Sequence, residues 1–425
     1  THVARFDVTP DGRKLAAVGN FAKVNGQTRV QLAMIDTNVS TSGVATVSSW
    51  ATNRFDRAHN SCAAGFDTFT RDIDFSPDGS FFAVTTTGAF AGGAGSGTMC
   101  DSSSRWETNS TGNDPTWVDY TGGDTSHGVA VTGDVVYTGG HFRWQNNPFK
   151  GDQAGPGAVP RSGIAALDAA NGLPLSWNPG RTRGVGAQAL YATPDGLWVG
   201  SDTTRFKNLT RGRIAFVPLS DGTTLPAVAP AALPNNLFIA QSGGLRSRSV
   251  NASGAPTGGA TVVNTAFDWG TVRGAFYLNG TLYYGSGSGL SARSFDPATG
   301  TVDTQRTVNL YGLSLNVANL TGMFYDPALH RLYYTVAGNS ALFYRYFTPE
   351  SEVVGAQEFR ANANGVDFRT VAGMTLAGGR ILYGSSSDRA LRSVAFGAGG
   401  VTGTPVMVSN DGSWGSARAI FVPNG

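Results

Sequence analysis

The sequence predicts an all-β protein, a β-propeller built from four-stranded antiparallel blades. One observation is a recurring pair of alternating strands joined by a tight turn, as in VARFDVTPDGRKLAAVG at 3–19 and RGAFYLNGTLYYGS at 273–286. The Asp-Gly and Asn-Gly turns between the strands supply the positive φ angles that short hairpins need. A second observation is that no long window has the 3.6-residue periodicity of an amphipathic helix. Together these features indicate repeated antiparallel sheets.

The hairpin pattern has seven clear copies, which begin near residues 3, 71, 128, 187, 273, 321 and 372. Each copy is followed by a third strand, such as VQLAMID or GIAALDA, and then by a turn and a less regular fourth strand. One unit of four strands cannot bury both of its faces, so neighbouring units must pack against each other, as the blades of a propeller do. We therefore predict one propeller domain over residues 1–425 with seven blades, and eight blades as the alternative.

Two segments do not match a complete unit. The stretch LFIAQSGGLRSRSVNASG, at 237–254, resembles the second to fourth strands of a blade without a clear first strand. It is either an eighth, degenerate unit or an elaborated outer edge of the fourth blade. The stretch ARAIFVPNG, at 417–425, resembles a first strand with no blade of its own. Because such a strand can cover the edge of another sheet, we expect it to complete the blade that holds the other terminus.

Composition restricts the partners that the protein could have. Charged residues make up 14% of the 425 residues, the formal net charge is +2, and positive and negative side chains are interspersed. Binding along nucleic acid needs a dense basic face, so we expect no nucleic-acid partner. No apolar run approaches the roughly 20 residues that span a bilayer, and no secretory leader opens the chain. We expect that a leader or an upstream domain has been removed from a longer, multidomain secreted protein.

The two cysteines, Cys62 and Cys100, both lie in polar, turn-rich stretches, HNSCAAGFD and GTMCDSSSRWE. One hairpin turn and one strand lie between them, so the chain can go out and return. A free thiol in such a stretch would be exposed to oxidation, which favours a disulfide over two separate thiols. The bridge would close a loop of about 38 residues and contribute roughly 3–4 kcal/mol in the chain-entropy description. Disulfides persist in oxidising compartments, so we expect a secreted or cell-surface protein.

The chain resembles a large group of secreted actinobacterial repeat proteins that are related to YVTN-type and WD-type β-propellers. Blades of that group carry a phrase of the form VYVGG-F-x-x-VNG-x-x-R-x-x-IAALD-x-x-G. Here the phrase stands as AVGNFAKVNGQTRVQLAMID at 17–36 and, interrupted, at 137–168. The stretches RDIDFSPDGSFF and TGMFYDPALHRLYY are also similar to that group. The resemblance implies a secreted or surface-associated propeller, and it carries no catalytic residue over to this chain.

The residues that could carry catalysis are few and scattered. The five histidines lie in different units without metal-ligand spacing, and GSGSG at 285–289 lies between two strands, where a serine nucleophile would need a following helix. Asp72 and Asp74 alternate along one strand, so their carboxylates share a face. They either accept main-chain hydrogen bonds between blades or form a weak calcium site at the channel. Structural calcium is the one cofactor that the sequence leaves open.

One loop differs between two otherwise aligned units. Asn146 and Arg161 of the third unit match an Asn and an Arg of the first, and only the segment between them differs. Residues 147–160 replace residues 26–28, an expansion of eleven residues. The insertion therefore lies in the loop between the second and third strands. Loops of this kind emerge on one rim of a propeller, where binding sites commonly form.

The residues around this insertion are the candidate ligand-binding site. A large aromatic ring beside amide side chains suits carbohydrate recognition, since the ring packs on the apolar face of a sugar and the amides bind hydroxyls. The alternative is that Trp144 holds its own loop against the neighbouring blade. The candidates near the insertion and in two flanking stretches are His141, Arg143, Trp144, Asn146, Asn147, Trp106, Tyr120 and Arg181.

The sequence therefore predicts a non-catalytic binding or adhesion module whose partner is a glycan or an extracellular protein. The alternatives are an extracellular propeller enzyme acting on carbohydrate, as a lyase, hydrolase or dehydrogenase, and a scaffold that displays other domains. Converging carboxylates, or His with Arg, at the axis would favour the enzyme. An apolar rim patch bordered by Asn and Trp would favour glycan binding.

Overall fold

The structure, a computed structural model, describes residues 2–37, 43–60, 62, 66, 68–88, 97–112, 114–149, 151 and 153–424. The chain divides into two compact units, Thr1–Leu225 and Pro226–Gly425. Strands dominate both units. Helical structure in the described residues is confined to short 3-10 turns at Leu219–Asp221, Trp269–Thr271 and Val317–Asn319. Within that part of the chain, no helix has the length and apolar character needed to cross a membrane.

The first unit is a succession of short strands joined by tight turns. Its strands in the described residues are β1 (His2–Val8), β2 (Lys14–Asn20), β3 (Lys23–Val24), β4 (Gln27–Thr28), β5 (Leu32–Asp36), β6 (Thr46–Val47), β7 (Thr70–Phe75), β8 (Phe81–Thr86), β9 (Ser102–Glu107), β10 (Trp117–Tyr120), β11 (Ser126–Val131), β12 (Val135–Gly140), β13 (Trp144–Gln145), β14 (Val159–Pro160), β15 (Ile164–Asp168), β16 (Ala187–Thr193), β17 (Gly196–Ser201), β18 (Arg205–Phe206), β19 (Leu209–Thr210) and β20 (Ile214–Pro218).

Four antiparallel sheets organise the first unit, with the strand orders β1-β2-β5-β6, β7-β8-β9-β10, β11-β12-β15 and β16-β17-β20. We call them sheets 1 to 4. The short hairpins β3/β4, β13/β14 and β18/β19 lie between the second and third strands of sheets 1, 3 and 4. The first strands of neighbouring sheets pack on each other, β1 on β7, β7 on β11 and β11 on β16. The sheets therefore stack face to face in chain order, as propeller blades do.

The second unit is built in the same way. Its strands are β21 (Asn235–Gln241), β22 (Gly244–Val250), β23 (Thr261–Asn264), β24 (Arg273–Leu278), β25 (Thr281–Ser286), β26 (Gly289–Asp296), β27 (Thr301–Val302), β28 (Arg306–Thr307), β29 (Leu320–Asp326), β30 (Arg331–Val336), β31 (Phe343–Thr348), β32 (Val353–Val354), β33 (Phe359–Arg360), β34 (Val371–Ala377), β35 (Arg380–Ser385), β36 (Leu391–Gly397), β37 (Gly400–Val401), β38 (Val406–Ser409) and β39 (Ala419–Phe421).

The strands of the second unit form sheet 5 (β39-β21-β22-β23), sheet 6 (β24-β25-β26-β27), sheet 7 (β29-β30-β31-β32) and sheet 8 (β34-β35-β36-β37). Strands β28, β33 and β38 pair with the third strands of sheets 6, 7 and 8. Buried apolar side chains join sheet 5 to sheet 6, sheet 6 to sheet 7 and sheet 7 to sheet 8. A further core that contains Leu237, Leu382 and Trp414 joins sheet 8 back to sheet 5. All four sheets of this unit are therefore covered on both faces.

The C-terminal strand β39 does not complete the sheet that holds the N-terminus, so that expectation was wrong. Ile420 of β39 lies opposite Ile239 of β21, in sheet 5. Sheet 1 already has an edge strand of its own, β1, whereas 235–264 folds into three strands and leaves the first place of sheet 5 open. The segment 237–254 is therefore part of a separate four-stranded sheet, sheet 5, whose first strand comes from the end of the chain.

The predicted all-β propeller fold is confirmed, because the described residues form antiparallel sheets with the strand order and stacking of propeller blades. Each unit contains four such sheets among its described residues. The seven hairpin copies found in the sequence correspond to every sheet except sheet 5. Sheet 5 corresponds to the degenerate repeat, since its first strand, β39, is far in the chain from its other three strands.

The predicted disulfide between Cys62 and Cys100 is confirmed, with the two Cα atoms 5.7 Å apart and 38 residues apart in sequence. Both cysteines are buried, and Phe69 packs against the bridge. The bond ties the segment before β7 to the segment before β9. It therefore joins the segment that enters the β7/β8 hairpin to the segment that leaves it.

Candidate functional site

The inserted loop extends from a short hairpin that occurs in three sheets of the first unit. Trp144 pairs with Pro160 in β13/β14, as Lys23 pairs with Thr28 in β3/β4. The hairpin keeps its register, and the additional residues extend from its tip. The insertion therefore lies between β12 and β15, the second and third strands of sheet 3, as the alignment predicted.

Asn146 occupies a turn position with a left-handed backbone. Its φ is 56°, and Asn25, the matching residue in β3/β4, has a φ of 47°. Asn adopts this conformation more easily than most residues, which explains why both hairpins carry it. The Asn146 amide donates to the Gly157 carbonyl at 2.8 Å, and its main-chain N–H donates to Asp119 Oδ1 at 2.7 Å. Asn146 is buried, so these bonds fix the start of the inserted loop.

Asn147 is also buried inside the inserted loop. Its Nδ2 donates to the Gln153 carbonyl at 3.0 Å, and its Oδ1 accepts from the Gly155 N–H at 3.0 Å. The hydrogen-bonding groups of this side chain are thus engaged by the loop's own backbone. In the described conformation, both amides of the candidate site stabilise the loop.

Two of the three aromatic candidates lie in the interior. Trp106 is completely buried, and its Nε1 donates to Ser104 Oγ at 2.9 Å. The Tyr120 hydroxyl donates to the Thr98 carbonyl at 3.0 Å, and burial raises the pKa of Tyr120 to about 12. Trp144 is half-buried on β13. Of these three rings, Trp144 is the one that a ligand could reach.

Two arginines and a histidine converge on the buried carboxylate of Asp124. Arg183 Nη2 lies 2.9 Å from Oδ1, Arg143 Nε lies 3.5 Å from Oδ2, and His141 Nδ1 lies 3.7 Å from Oδ1. The Asp124 side chain is 6% exposed, whereas those of Arg183, Arg143 and His141 are 30%, 34% and 41% exposed. We call these four residues the Asp124 cluster. One buried acid therefore orders three nitrogen-bearing side chains at the surface.

The Asp124 cluster joins three separate parts of the first unit. Asp124 precedes β11, His141 and Arg143 follow β12, and Arg183 precedes β16. Arg183 Nε also donates to the His141 carbonyl at 2.5 Å, which connects the approach to sheet 4 with the loop of sheet 3. In an antiparallel hairpin the first strand begins beside the point where the second strand ends, so these connections meet at the same end of the strands. The insertion starts from that same end.

Arg181 belongs to the same connection as Arg183 but points into the protein. Its side chain is fully buried, and its Nη2 donates to Ser201 Oγ at 2.8 Å and lies 3.4 Å from Asp202 Oδ1. Asp202 accepts from the main-chain N–H groups of Val185 and Gly186 at 2.6 and 2.9 Å. Arg181 thus holds the chain that enters sheet 4, and its guanidinium has no surface for a ligand.

The environment of the cluster lowers the pKa of two histidines. Burial is the largest cause for His141, and Arg183 adds to it, while Asp124 acts in the opposite direction. Burial also lowers the pKa of His127, and Arg71 and His141 contribute further. Both imidazoles are therefore mostly neutral at pH 7. An anion bound beside them would favour their protonated forms.

Carboxylates on the first strands connect neighbouring sheets of the first unit. Asp74 Oδ2 accepts from the Val131 N–H at 2.6 Å, and Asp7 Oδ2 accepts from the Phe75 N–H at 2.8 Å. Burial raises the pKa of Asp74 to about 7, and the charge of Asp7 and a hydrogen bond with it act in the same direction. The two carboxyl groups face a cavity of about 240 Å³ at the hairpin-turn ends of the first strands.

Asp72 makes similar contacts two residues earlier on the same strand. Its Oδ1 accepts from the Ile73 N–H at 3.0 Å and its Oδ2 from the Val129 N–H at 3.1 Å, and burial raises its pKa to about 6. No group of three or more His, Cys, Asp and Glu residues in the described part of the chain could hold a metal ion. The main-chain contacts support the structural alternative for Asp72 and Asp74 over the calcium alternative.

Sequence reasoning did not single out Asp124 or Asp202, although both carry the electrostatics of this end of the strands. Neither residue belongs to a recognisable motif, and their partners lie on different sheets. The available signal was positional, since Asp124 lies just before a first strand and Asp202 just after a second strand. Charged residues at these repeat positions come together at the same end of the strands.

Comparison with known proteins adds no functional assignment. No protein-family model matches the chain, and no curated protein matches it. The chain is similar to three solved structures: the computationally designed Ika8 protein, a functionally unknown protein from Desulfotomaculum acetoxidans DSM 771, and the Dos1 propeller. The identities are 9%, 12% and 9%, and the TM-scores are 0.25, 0.22 and 0.25. The alignments cover 95%, 98% and 98% of this chain and 86%, 98% and 86% of those chains.

Proposed function

We propose that the chain is a non-catalytic binding propeller of an extracellular or cell-surface protein, and that the Asp124 cluster recognises an acidic group on a glycan. The observation that carries this proposal is the convergence of Arg143, Arg183 and His141 on one buried carboxylate. The buried disulfide supports an oxidising compartment. Carboxylated sugars are the acidic partners that such a compartment would present.

The charge of the cluster favours an anionic ligand. Arg143 and Arg183 carry two positive charges and Asp124 one negative charge, so the cluster has a net charge of +1 while His141 is neutral. Protonation of His141 raises the net charge to +2. Because the arginine side chains are about one-third exposed, part of each guanidinium can bind a carboxylate without breaking the contact with Asp124.

Trp144 supplies a second contact for a sugar. It directly follows Arg143 in the chain and is half-buried. An aromatic ring packs against the apolar face of a pyranose, and a neighbouring arginine binds a carboxylate on the same sugar. This pairing distinguishes a uronic-acid unit from a neutral hexose. Recognition by the buried amides of Asn146 and Asn147 is not part of this proposal.

Binding of an oligosaccharide that contains uronic acid, compared with its neutral counterpart, tests the proposal. Isothermal titration calorimetry should detect the acidic oligosaccharide and give at least roughly tenfold weaker binding for the neutral one. Arg143→Gln and Trp144→Ala should each weaken binding roughly tenfold. The matched control is Arg13→Gln, because Arg13 is 70% exposed on a hairpin turn of sheet 1. Equal affinity for both oligosaccharides, or binding that ignores Arg143→Gln, would refute the assignment.

A carbohydrate-acting enzyme is the second candidate, and the pair formed by Asp7 and Asp74 favours it. These carboxyl groups line the same cavity, and the raised pKa of Asp74 is a property that general acids share. Both groups also accept main-chain hydrogen bonds between sheets, which restrains them as structural acceptors. Release of reducing ends from acidic polysaccharides, lost in Asp74→Asn, would establish the enzyme and displace the binding proposal.

A further inference from the structure

The first strands of sheets 1 to 4 can be compared residue by residue. Phe6, Ile73, Val129 and Leu190 each lie three residues before the Thr or Ser that begins the hairpin turn of their sheet. Ile73, Val129 and Leu190 are 4%, 3% and 9% exposed, because the preceding sheet packs on them. Phe6 is 62% exposed. Sheet 1 therefore exposes the face that the preceding sheet covers in sheets 2, 3 and 4.

Sheet 4 presents the complementary face. Trp198 pairs with Phe216 across β17 and β20, as Tyr137 pairs with Ala166 across β12 and β15. Tyr137 and Ala166 are 6% and 0% exposed, since they pack on sheet 4. Trp198 and Phe216 are 43% and 38% exposed, with ring centroids 4.8 Å apart, and Tyr191 beside them is 69% exposed. Large aromatic rings thus occupy positions that are buried one sheet earlier.

The two faces are the two halves of one recurring contact. Each sheet has one face that carries the position of Tyr137 and an opposite face that carries the position of Ile73. Within the first unit, the first of these faces packs on the second face of the next sheet, between sheets 1 and 2, 2 and 3, and 3 and 4. The face around Phe6 lacks the partner that the face around Trp198 could provide. In the second unit, the four sheets already cover each other, so none of their faces is available.

We propose that two copies of this chain associate head to tail, with sheet 4 of each copy packed on sheet 1 of the other. A two-fold pair satisfies both exposed faces of each copy at once and closes without leaving a free end. Each new contact continues the stacking that sheets 1 to 4 already use. The occupant is therefore a blade of the same geometry, supplied by a second copy.

Sedimentation equilibrium of the 425-residue protein tests this association. We expect a species of twice 44.2 kDa at micromolar concentrations. Phe6→Glu and Trp198→Glu each place a charge in both contacts of the closed pair, and each should weaken the dimer at least roughly a hundredfold. Both side chains are exposed in the single chain, so the variants should keep the far-ultraviolet circular dichroism of the native protein. A monomeric native protein would overturn the proposal.

Mixing the two variants distinguishes head-to-tail from face-to-face pairing. Sheet 4 of the Phe6→Glu variant and sheet 1 of the Trp198→Glu variant are both unchanged, so the mixture should form a heterodimer through one intact contact. If Trp198→Glu abolishes association while Phe6→Glu leaves it unchanged, the pairing is sheet 4 on sheet 4, and the proposal is wrong. The control variant is Val262→Glu, because Val262 is an apolar residue 49% exposed on β23 of the second unit. It should leave the dimer unchanged.

Discussion

The main-chain N–H of Val131 in sheet 3 donates a 2.6 Å hydrogen bond to Asp74 Oδ2 in sheet 2. The same type of contact links sheet 2 to sheet 1, where the Phe75 N–H donates to Asp7 at 2.8 Å. Each acceptor is a carboxylate on a first strand, and each donor belongs to the first strand of the next sheet. Side-chain carboxylates therefore connect the first strands of neighbouring sheets, which do not pair with each other through main-chain hydrogen bonds.

The stability of the first unit should fall as pH rises from about 4 to about 7. Asp74 in the folded state keeps its proton up to a pKa of about 7, whereas an aspartate in the unfolded chain loses it near its ordinary value of 3.8. The folded state thus binds more protons in this interval, and the free energy of unfolding decreases with rising pH. Asp72, with a pKa of about 6, acts in the same direction. Thermal unfolding at pH 5 and pH 8 measures the effect.

Asp74→Asn should remove much of that pH dependence. The amide stays uncharged, its oxygen can still accept from Val131, and its NH2 group can donate to Asp7. At pH 8 we expect the variant to be about 1–3 kcal/mol more stable than the native protein, a rise of several degrees in Tm. Asp134→Asn, at an exposed position in the turn of sheet 3, is the control and should change little. A lower Tm for Asp74→Asn at pH 8 would contradict the assignment.

Removal of the disulfide should destabilise the first unit. In Cys62→Ser combined with Cys100→Ser, the closed loop of 38 residues is released. The expected loss is about 3–4 kcal/mol, because the unfolded chain regains conformational freedom. Differential scanning calorimetry with and without a reductant measures it. The reductant should lower the Tm of the native protein and leave that of the double variant unchanged.

The turn conformation of Asn146 can be separated from its hydrogen bonds by two substitutions. Asn146→Ala and Asn146→Gly both lose the side-chain bond to Gly157, but only glycine adopts a φ of 56° without a steric cost. Asn146→Ala should therefore be about 1 kcal/mol less stable than Asn146→Gly in urea unfolding. Equal stability of the two variants would show that the backbone conformation does not restrict this position.

The strand β39 should be essential for the second unit. Ile420 is completely buried in the core that joins sheets 5 and 8. Ile420→Ala should cost about 2–5 kcal/mol, since it leaves a cavity among well-packed side chains. Val406→Ala, at an apolar site 54% exposed on β38, should change the free energy of unfolding by less than about 0.5 kcal/mol. Chemical unfolding of both variants makes the comparison.

Affinity for an acidic oligosaccharide should increase as pH falls. Burial and Arg183 lower the pKa of His141 in the free protein, and a bound carboxylate stabilises the protonated form. We therefore expect the pH dependence to act through His141. Calorimetric titrations at pH 5.5 and 7.5 measure the change. His141→Gln should reduce the difference in affinity between the two pH values. An unaltered difference would show that another group causes the pH dependence.

The fold was predictable because its signals are local. Asp-Gly or Asn-Gly turns between alternating strands mark the first hairpins of sheets 1, 2, 4 and 6, and sheets 1 to 4 form from strands in chain order. The sequence shows a first strand without a blade at 417–425 and a blade without a first strand at 237–254, but their pairing was not predicted, since Ile420 pairs with a residue about 180 positions earlier. The disulfide was predictable because only two cysteines are present and both lie in turn-rich stretches.

The candidate site was predicted less completely. The position of the inserted loop followed from aligned residues, but an Asn that binds sugar and an Asn that fixes a turn are the same letter in a sequence. Asn25 and Asn146 share a positive φ, which explains their alignment without reference to a ligand. The Asp124 cluster depends on contacts among three connections, and no spacing within one segment encodes it.

The position of β39 has a consequence for synthesis on the ribosome. The strands of sheets 1 to 4 each emerge in order, so every sheet of the first unit can form while translation continues. Sheet 5 begins to emerge at Asn235 but lacks its first strand until Ala419–Phe421 has left the exit tunnel. During that interval β21 presents an unpaired edge on which other strands or chaperones can bind. The second unit therefore matures only after translation of its final strand.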